Sequence, residues 1–270
     1  MKLGHAFAFL TVAIRNLILG GNLVALSLAR RPGDMIGYVS ESLFLYKALN
    51  AKRGIPQRNV CEVLPGRDVE TVTLGNLTSG GNWFLPEASY TADILNLCLI
   101  CRIVRPRVVF EIGTLTGYTA FHCALNAPDD AKIYTLDLPR SETGQASLSL
   151  RTTAIDEFHI RSHARTERCC FESSKAATKI TCLFGDSATF DFSPFYGTVD
   201  VFFIDGAHSY EYVRSDTLNA LKCCHPGSVI AWHDFGRVGV NGVSKWLLEL
   251  SKAREIYSIP GGSLAFMIIT

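Results

Sequence analysis

Short apolar runs alternate with amphipathic stretches over the C-terminal two thirds of the chain. Strands buried on both faces have this apolar character, and the runs cover residues 108–112, 133–136, 180–184, 199–204 and 228–232. Helical spacing of apolar residues predicts helices over 86–104, 119–125, 211–223 and 243–253. The alternation predicts an α/β fold: a Rossmann-like, doubly wound sheet, mostly parallel, with helices on both faces.

The two ends of the chain differ from this pattern. Residues 255–259 and 264–269 flank Pro260-Gly261-Gly262 and predict an antiparallel C-terminal hairpin. In residues 1–82 the sequence predicts short helical segments interrupted by Gly, Pro and Asn. We therefore expect an N-terminal helical extension over 1–82 and one sheet domain over 83–270.

A long polar insertion interrupts the alternation between Arg140 and Lys179. It is rich in Ser, Thr, Arg and His and lacks apolar periodicity, so it is not expected to supply a core strand. Loops of this length in compact domains are commonly lids or binding loops. We interpret the insertion as part of the substrate entrance.

The charge balance and the cysteines of the chain indicate its kind of partner and its cellular compartment. The chain has 26 basic and 25 acidic residues, which gives no electrostatic bias toward nucleic acid or anionic lipid and favours a small-molecule partner. The nine cysteines are an odd number and do not follow a disulfide-scaffold pattern, which favours a reducing cytoplasm. Helical spacing places Cys98 and Cys101 in the core rather than at a zinc site.

The apolar N-terminal stretch is compatible with several roles. Residues 6–14 resemble the apolar region of a signal peptide, but Arg15 and Asn16 interrupt it and no cleavage site stands out. A membrane-spanning helix would place Arg15 in or near hydrocarbon, which is costly. The favoured interpretation is a helix packing on the body or on a second subunit, with peripheral membrane contact as the alternative.

Candidate reactive side chains follow the apolar runs at 199–204 and 228–232. Asp205 and His208 come after the first run, and His233 and Asp234 come after the second. The carboxyl ends of parallel strands share one edge of a sheet, where ligands bind in open α/β folds. We expect these strand tips to form a reaction centre.

The turn after the first strand has the sequence Glu111-Ile-Gly113-Thr-Leu-Thr-Gly117, and Asp137 ends the next strand. The glycines permit a tight turn and close approach to a ligand, while Asp137 is placed to accept ribose hydroxyls. A dinucleotide fold favours G-x-G-x-x-G for its pyrophosphate, whereas this turn has two glycines and an acid. Glu111 would repel pyrophosphate but suits a cofactor with an ammonium and a sulfonium.

Taken together, these motifs resemble the class I S-adenosylmethionine-dependent methyltransferases. Within them the chain is similar to the bacterial branch of macrocin-type sugar O-methyltransferases and cephalosporin-hydroxylase-like proteins. The resemblance covers roughly Trp83 to Thr270 and rests on residues 109–117, 135–137, 184–187, 203–210, 226–227 and 233–234.

The resemblance implies a set of cofactor contacts. Those bordering the methionine part of S-adenosyl-L-methionine would be Glu111, Gly113, Thr114 and Gly117. Asp137 would hold the ribose. Asp186 and Ser187 would flank the adenine, and Asp205 would also contact the cofactor.

The reacting site is expected to transfer a methyl group to a hydroxyl of a sugar or other small metabolite. His208 is the expected base, because its unperturbed pKa allows a neutral, accepting ring, and Asp205 would assist it. Asp205, Asp234 and His233 are candidate ligands for a divalent metal, Mg²⁺ or Mn²⁺. A histidine at 233 departs from the oxygen ligand of metal-dependent relatives, and in the metal-free alternative Asp205 orients His208 and the cofactor.

Two alternatives remain open from the sequence. One is a nicotinamide-dependent oxidoreductase on a Rossmann-like fold, and the other is a non-catalytic protein that keeps the cofactor fold. We also expect a homo-oligomer.

Overall fold

In the part of the chain that the structure describes, seven strands form a single sheet. In chain order they are β1 (Val108–Ile112), β2 (Lys132–Asp137), β3 (Ile180–Phe184), β4 (Val199–Ile204), β5 (Cys224–Trp232), β6 (Tyr257–Ser258) and β7 (Ala265–Ile268). Their order across the sheet is β3-β2-β1-β4-β5-β7-β6. Strands β1 to β5 pair in parallel, and β7 pairs antiparallel with β5 and β6. This arrangement confirms the predicted sheet and its C-terminal hairpin.

The structure is a computed structural model that describes residues 54–64, 69–75, 88–139, 148–153, 155–157, 160, 169–237 and 240–270. The apolar stretch over 6–29 lies outside these residues, as does most of the predicted N-terminal extension. Within the described ranges, no helix is both long enough and apolar enough to cross a membrane.

Helices join the strands. They are α1 (Val60–Val63), α2 (Ala88–Val104), α3 (Tyr118–Asn126), α4 (Tyr210–Cys223) and α5 (Asn241–Leu250), with 3₁₀ turns at Lys175–Lys179 and Ser193–Phe195. The predicted start of β5 at 228 was wrong. The strand begins at Cys224, which pairs with Val199, and the register shifts between Val199 and Val201, near the Pro226-Gly227 pair that suggested a break.

The core has two layers because successive strand residues point to opposite faces of the sheet. Phe110 of β1 belongs to the layer that includes Val213 of α4 and Leu247 of α5. Its neighbour Val109 belongs to the opposite layer, with side chains of α2 and α3. Cys98 and Cys101 of α2 are both buried, which confirms that they lie in the core.

Two described segments N-terminal to α2 contact the sheet domain. Gln57 forms a parallel bridge with Ser258 of β6. Thr73 makes two hydrogen bonds with the Asn126 side chain at the end of α3: its N–H donates to Oδ1 at 2.8 Å, and its carbonyl accepts from Nδ2 at 2.8 Å. Residues 54–64 and 69–75 therefore extend the packing of the sheet domain toward the N-terminus.

Phe110 provides a test of the core. Its side chain is fully buried, with ring centroids 5.0 Å from Phe202 and 4.8 Å from Phe195. Phe110→Ala should lower the free energy of unfolding by about 3–5 kcal/mol, because it removes this packing and leaves a cavity. The matched control is Phe184→Ala, since that side chain is 58% exposed and its loss should cost less than about 1 kcal/mol. Urea denaturation measures both, and equal losses would contradict the prediction.

Candidate active site

Parallel pairing brings three strand ends to one level. Ile112 of β1 pairs with Ile204 of β4, which in turn pairs with Trp232 of β5. Each is the last residue of its strand. Gly113, Asp205 and His233 therefore leave the sheet together at its carboxyl edge.

Contacts within the protein require glycine at both positions of the turn after β1. Gly113 has φ +99°, and a Cβ there would collide with the carbonyl group of Asp205. At Gly117, with φ +74°, a Cβ would collide with the Phe171 ring. We expected these glycines to permit approach to a ligand. In the structure, the β4 tip and the insertion fill the space that side chains at these positions would need.

Asp137 organises the same turn. Its Oδ2 accepts hydrogen bonds from the N–H groups of Thr114 at 2.9 Å and Leu115 at 2.8 Å, and its Oδ1 accepts from the Leu138 N–H at 2.7 Å. Leu115 has φ +46°, an uncommon conformation for a residue other than glycine. The carboxylate predicted to bind ribose thus also holds the turn between β1 and α3.

Glu111 is buried beneath this turn. The Thr135 hydroxyl donates to its Oε2 at 2.5 Å, and Thr114 Oγ lies 2.6 Å from Thr135 Oγ. Its Oε1 has no hydrogen-bond partner among the described residues. Burial, reinforced by the nearby Asp205 and Asp137, raises the pKa of Glu111 well above its ordinary value despite the Thr135 hydroxyl.

His208 lies between two carboxylates. Its Nδ1 is 2.7 Å from Asp156 Oδ1, and its Nε2 is 2.8 Å from Asp234 Oδ2. Burial alone would lower the pKa of His208, but the two carboxylates outweigh it and raise the pKa to about 10. The ordinary pKa expected for this ring therefore does not apply. Asp234 was predicted in the site as a metal ligand, and Asp156 was not predicted.

His233 forms a second arrangement of the same kind. Its Nε2 is 3.2 Å from Asp93 Oδ2, and its Nδ1 is 3.2 Å from Oδ1 of both Asp205 and Asp234. Burial alone would lower the pKa of His233, but Asp205 and Asp234 raise it well above its ordinary value. The ring therefore joins α2, which carries Asp93, to the strand tips.

Asp93 also binds the C-terminal hairpin. Its Oδ1 accepts from the N–H groups of Ser263 at 2.7 Å and Leu264 at 2.9 Å, and its Oδ2 accepts from the Ser263 hydroxyl at 2.7 Å. Burial alone would raise the pKa of Asp93, but the His233 ring and these donors hold it below its ordinary value. The buried Asp93 carboxylate thus holds α2 against the tip of β5 and against the C-terminal hairpin.

The group able to hold a cation differs from the sequence-based set. Among the residues that the structure describes, it consists of Asp205, His208 and Asp234, whose ligand atoms lie within 4.8 Å of one another. His208 belongs to this group, whereas the sequence-based set had His233 in its place. Asp234 has φ +62°, a left-handed conformation that aspartate adopts more readily than most residues.

Asp186 and Ser187, predicted to flank the adenine, follow β3. Asp186 accepts from the Tyr212 hydroxyl at 2.9 Å, the Ala188 N–H at 2.9 Å and the Ser149 N–H at 2.8 Å. Asp186 therefore ties both α4 and the insertion to this strand tip. Ser187 is buried, as is Asp216 of α4, whose two carboxyl oxygens have no hydrogen-bond partner among the described residues.

Sequence reasoning missed two residues of the site, Asp93 and Asp156. Asp93 is the single acidic residue in the largely apolar helix Ala88–Val104. An unpaired carboxylate would be unfavourable there, and that was a signal for a buried partner. Asp156 follows Thr153 at the spacing of a capping box, and that was a signal for local order within the insertion. Neither signal indicated which histidine each carboxylate would meet.

A comparison with protein families identifies the domain. Residues 110–235, which include the glycine turn and both strand tips of the reacting site, match a family model described as a methyltransferase domain. Over these residues the chain therefore carries a methyltransferase domain. The match supports this class over the oxidoreductase alternative. No curated protein sequence matches the chain.

Solved structures of O-methyltransferases are similar to this methyltransferase at low identity. TomG from Streptomyces achromogenes, involved in tomaymycin synthesis and solved with S-adenosylmethionine, is 18% identical, with a TM-score of 0.43. That alignment covers 84% of this chain and 89% of TomG. An O-methyltransferase from Bacillus cereus, solved with S-adenosylhomocysteine, is 17% identical over 83% of this chain and 90% of that chain, with a TM-score of 0.44.

Asp216 gives the methyltransferase a measurable dependence of stability on pH. The side chain is fully buried, and burial, reinforced by the nearby Asp186, raises its pKa from 3.8 to about 7. Because the folded state then binds more protons than the unfolded state, the stability contribution is fully present below about pH 4 and is lost as pH rises through about 7. This difference in pKa corresponds to about 4 kcal/mol.

Asp216→Asn should therefore flatten the pH dependence and raise the free energy of unfolding at pH 8 by roughly 2 kcal/mol or more. Urea denaturation at pH 5 and pH 8 measures the free energy of unfolding of both proteins. Glu211→Gln is the control, because Glu211 is an exposed acid on the same helix. Identical pH dependence in wild type and Asp216→Asn would contradict the prediction.

Proposed function

We propose that this methyltransferase transfers the methyl group of S-adenosyl-L-methionine to a hydroxyl oxygen of a small molecule such as a sugar. The observation that carries the proposal is the common edge of the sheet. It holds the turn organised by Asp137, beside the cluster formed by Asp205, His208 and Asp234. A cofactor side and an acceptor side thus lie next to each other.

The cofactor side offers acceptors for the polar groups of S-adenosyl-L-methionine. Glu111 Oε1, buried and without a hydrogen-bond partner among the described residues, is our candidate for the methionine ammonium. A cation there would also compensate the carboxylate that burial disfavours. We assign Asp137 to the ribose, and Gly113, Thr114 and Gly117 to the wall of the methionine site. Asp186 and Ser187 stay our candidates for the adenine edge.

Methyl transfer needs alignment and a destination for one proton. The hydroxyl oxygen forms a bond to the methyl carbon while the carbon–sulfur bond breaks and its electron pair stays on sulfur. The products are a methyl ether and S-adenosylhomocysteine, and the hydroxyl proton must leave. We assign that proton to Nε2 of His208, the ring nitrogen on the side of Asp234, while Nδ1 faces Asp156.

The donor set fits a divalent cation. The two carboxylates of the cluster suit Mn²⁺ or Mg²⁺, and Asp93 and Asp156 keep carboxylates in excess over the two histidine rings. Asp205 and Asp234 would hold the ion, with His208 beside it. When bound, such an ion would lower the pKa of the acceptor hydroxyl and offset the carboxylate charge that favours a protonated His208.

Isothermal titration with S-adenosylhomocysteine tests the cofactor assignment. Wild type should bind it, and Asp137→Ala should bind at least about tenfold more weakly, because the variant loses a charged acceptor and the support of the Gly113–Gly117 turn. Asp130→Asn, at an exposed acid beyond α3, is the control and should bind as wild type. Absence of binding by folded wild type would overturn the proposed function.

Electron paramagnetic resonance of Mn²⁺ tests the cation assignment without an acceptor. Bound Mn²⁺ loses the signal of the free ion, so titration gives a dissociation constant. Asp234→Asn should weaken binding at least about tenfold, since it removes one of two carboxylate ligands. The same Asp130→Asn protein serves as control. Equal Mn²⁺ affinity in wild type and Asp234→Asn would show that the ion does not use this cluster.

A further inference from the structure

The insertion between Arg140 and Lys179 reaches the acceptor side of the site. Its described residues at 148–153 and 155–157 contact three elements at the carboxyl edge. The Ser149 N–H donates to Asp186 after β3, the Leu150 N–H donates to the Tyr212 hydroxyl of α4 at 3.5 Å, and Asp156 reaches His208. This part of the insertion therefore crosses from β3 toward the tip of β4.

The two oxygens of Asp156 have separate partners. Oδ2 accepts from the Thr153 N–H at 2.6 Å, and the Asp156 N–H donates to the Thr153 hydroxyl at 3.2 Å, which is the reciprocal pattern of a capping box. Oδ1 accepts from the backbone N–H of His208 at 2.9 Å and lies 2.7 Å from its Nδ1. One oxygen orders the insertion, and the other contacts the proposed base.

A local structural role does not account for this placement. An acid in a capping box can stabilise its turn from an exposed position, whereas the Asp156 side chain is 2% exposed. Burying a carboxylate is costly unless a charged or hydrogen-bonding partner compensates it. Here that partner is the His208 ring, 52 residues away in sequence.

We propose that Asp156 is a positioning residue for His208, and that the insertion completes the reaction site by supplying it. The carboxylate holds the proton on Nδ1 and fixes the ring plane, so that Nε2 points to Asp234 and the cluster on the proposed acceptor side. A base oriented by a third group is a recurring solution in enzymes, because the two ring nitrogens are distinct and one hydrogen bond sets the role of the other. The inference rests on the proposed role of His208.

Nuclear magnetic resonance of protein labelled with ¹⁵N-histidine tests the proposal. A Nδ1 proton bonded to a buried carboxylate exchanges slowly with water and gives a downfield ring N–H signal, which His208→Gln assigns by its loss. Wild type should show this signal. Asp156→Asn and Asp156→Ala should each lose it or raise its exchange rate at least about tenfold.

The control is Glu157→Gln, which removes a neighbouring carboxylate on the same helical turn and should keep the signal. A protected His208 Nδ1 proton in both Asp156 variants would overturn the proposal, as would its loss in Glu157→Gln. S-adenosylhomocysteine binding separates this inference from the proposed function. Both Asp156 variants should bind it within about threefold of wild type, whereas failure of wild type to bind would remove the function itself.

Discussion

In-register parallel pairing of β1, β4 and β5 is the constraint on which the site depends. The backbone hydrogen bonds of these strands end at one level, so the strand pairing itself brings the polar residues that follow close together. Their charges would otherwise oppose such a concentration of carboxylates. The apolar strands, buried on both faces, supply the favourable free energy that holds the acids there.

Two imidazole rings lie between the carboxylates at this edge and partly compensate their negative charge. His233 contacts Asp93, Asp205 and Asp234, and His208 contacts Asp156 and Asp234, so Asp234 is shared by both. Burial would raise the pKa of Asp234, but the two rings hold it well below its ordinary value. Removing one ring would leave a buried carboxylate with less compensation, which is usually costly. The cluster therefore behaves as one electrostatic unit rather than as separate pairs.

The hydrophobic pattern of the sequence predicted the strands and the residues at their ends. Apolar runs located β3 and β4 to the residue, and strand ends located Asp205 and Asp234 at one edge, because periodicity and parallel pairing are regular. The same pattern did not predict which carboxylates would contact His208 and His233. Asp156 meets His208 across 52 residues, and no pattern in the insertion indicates which strand tip it will reach. The glycines show a related limit. The sequence predicted a tight turn at Gly113 and Gly117, but not that the Asp205 carbonyl and the Phe171 ring would exclude side chains at these positions.

The hydrogen bonds of Asp93 to the hairpin have a consequence for synthesis. Ser263 is made 170 residues after Asp93, and β7, which covers the edge of β5, is made at the same late stage. At ribosomal rates of about 5–20 residues per second the delay is roughly 10–30 s. During that interval the nascent chain carries the Asp93 carboxylate without its donors. The open edge of β5 lasts for less time, roughly 2–7 s, because β7 begins at Ala265, 33 residues after β5 ends at Trp232. Such an edge can pair with other chains, so the hairpin protects the strands that were made before it.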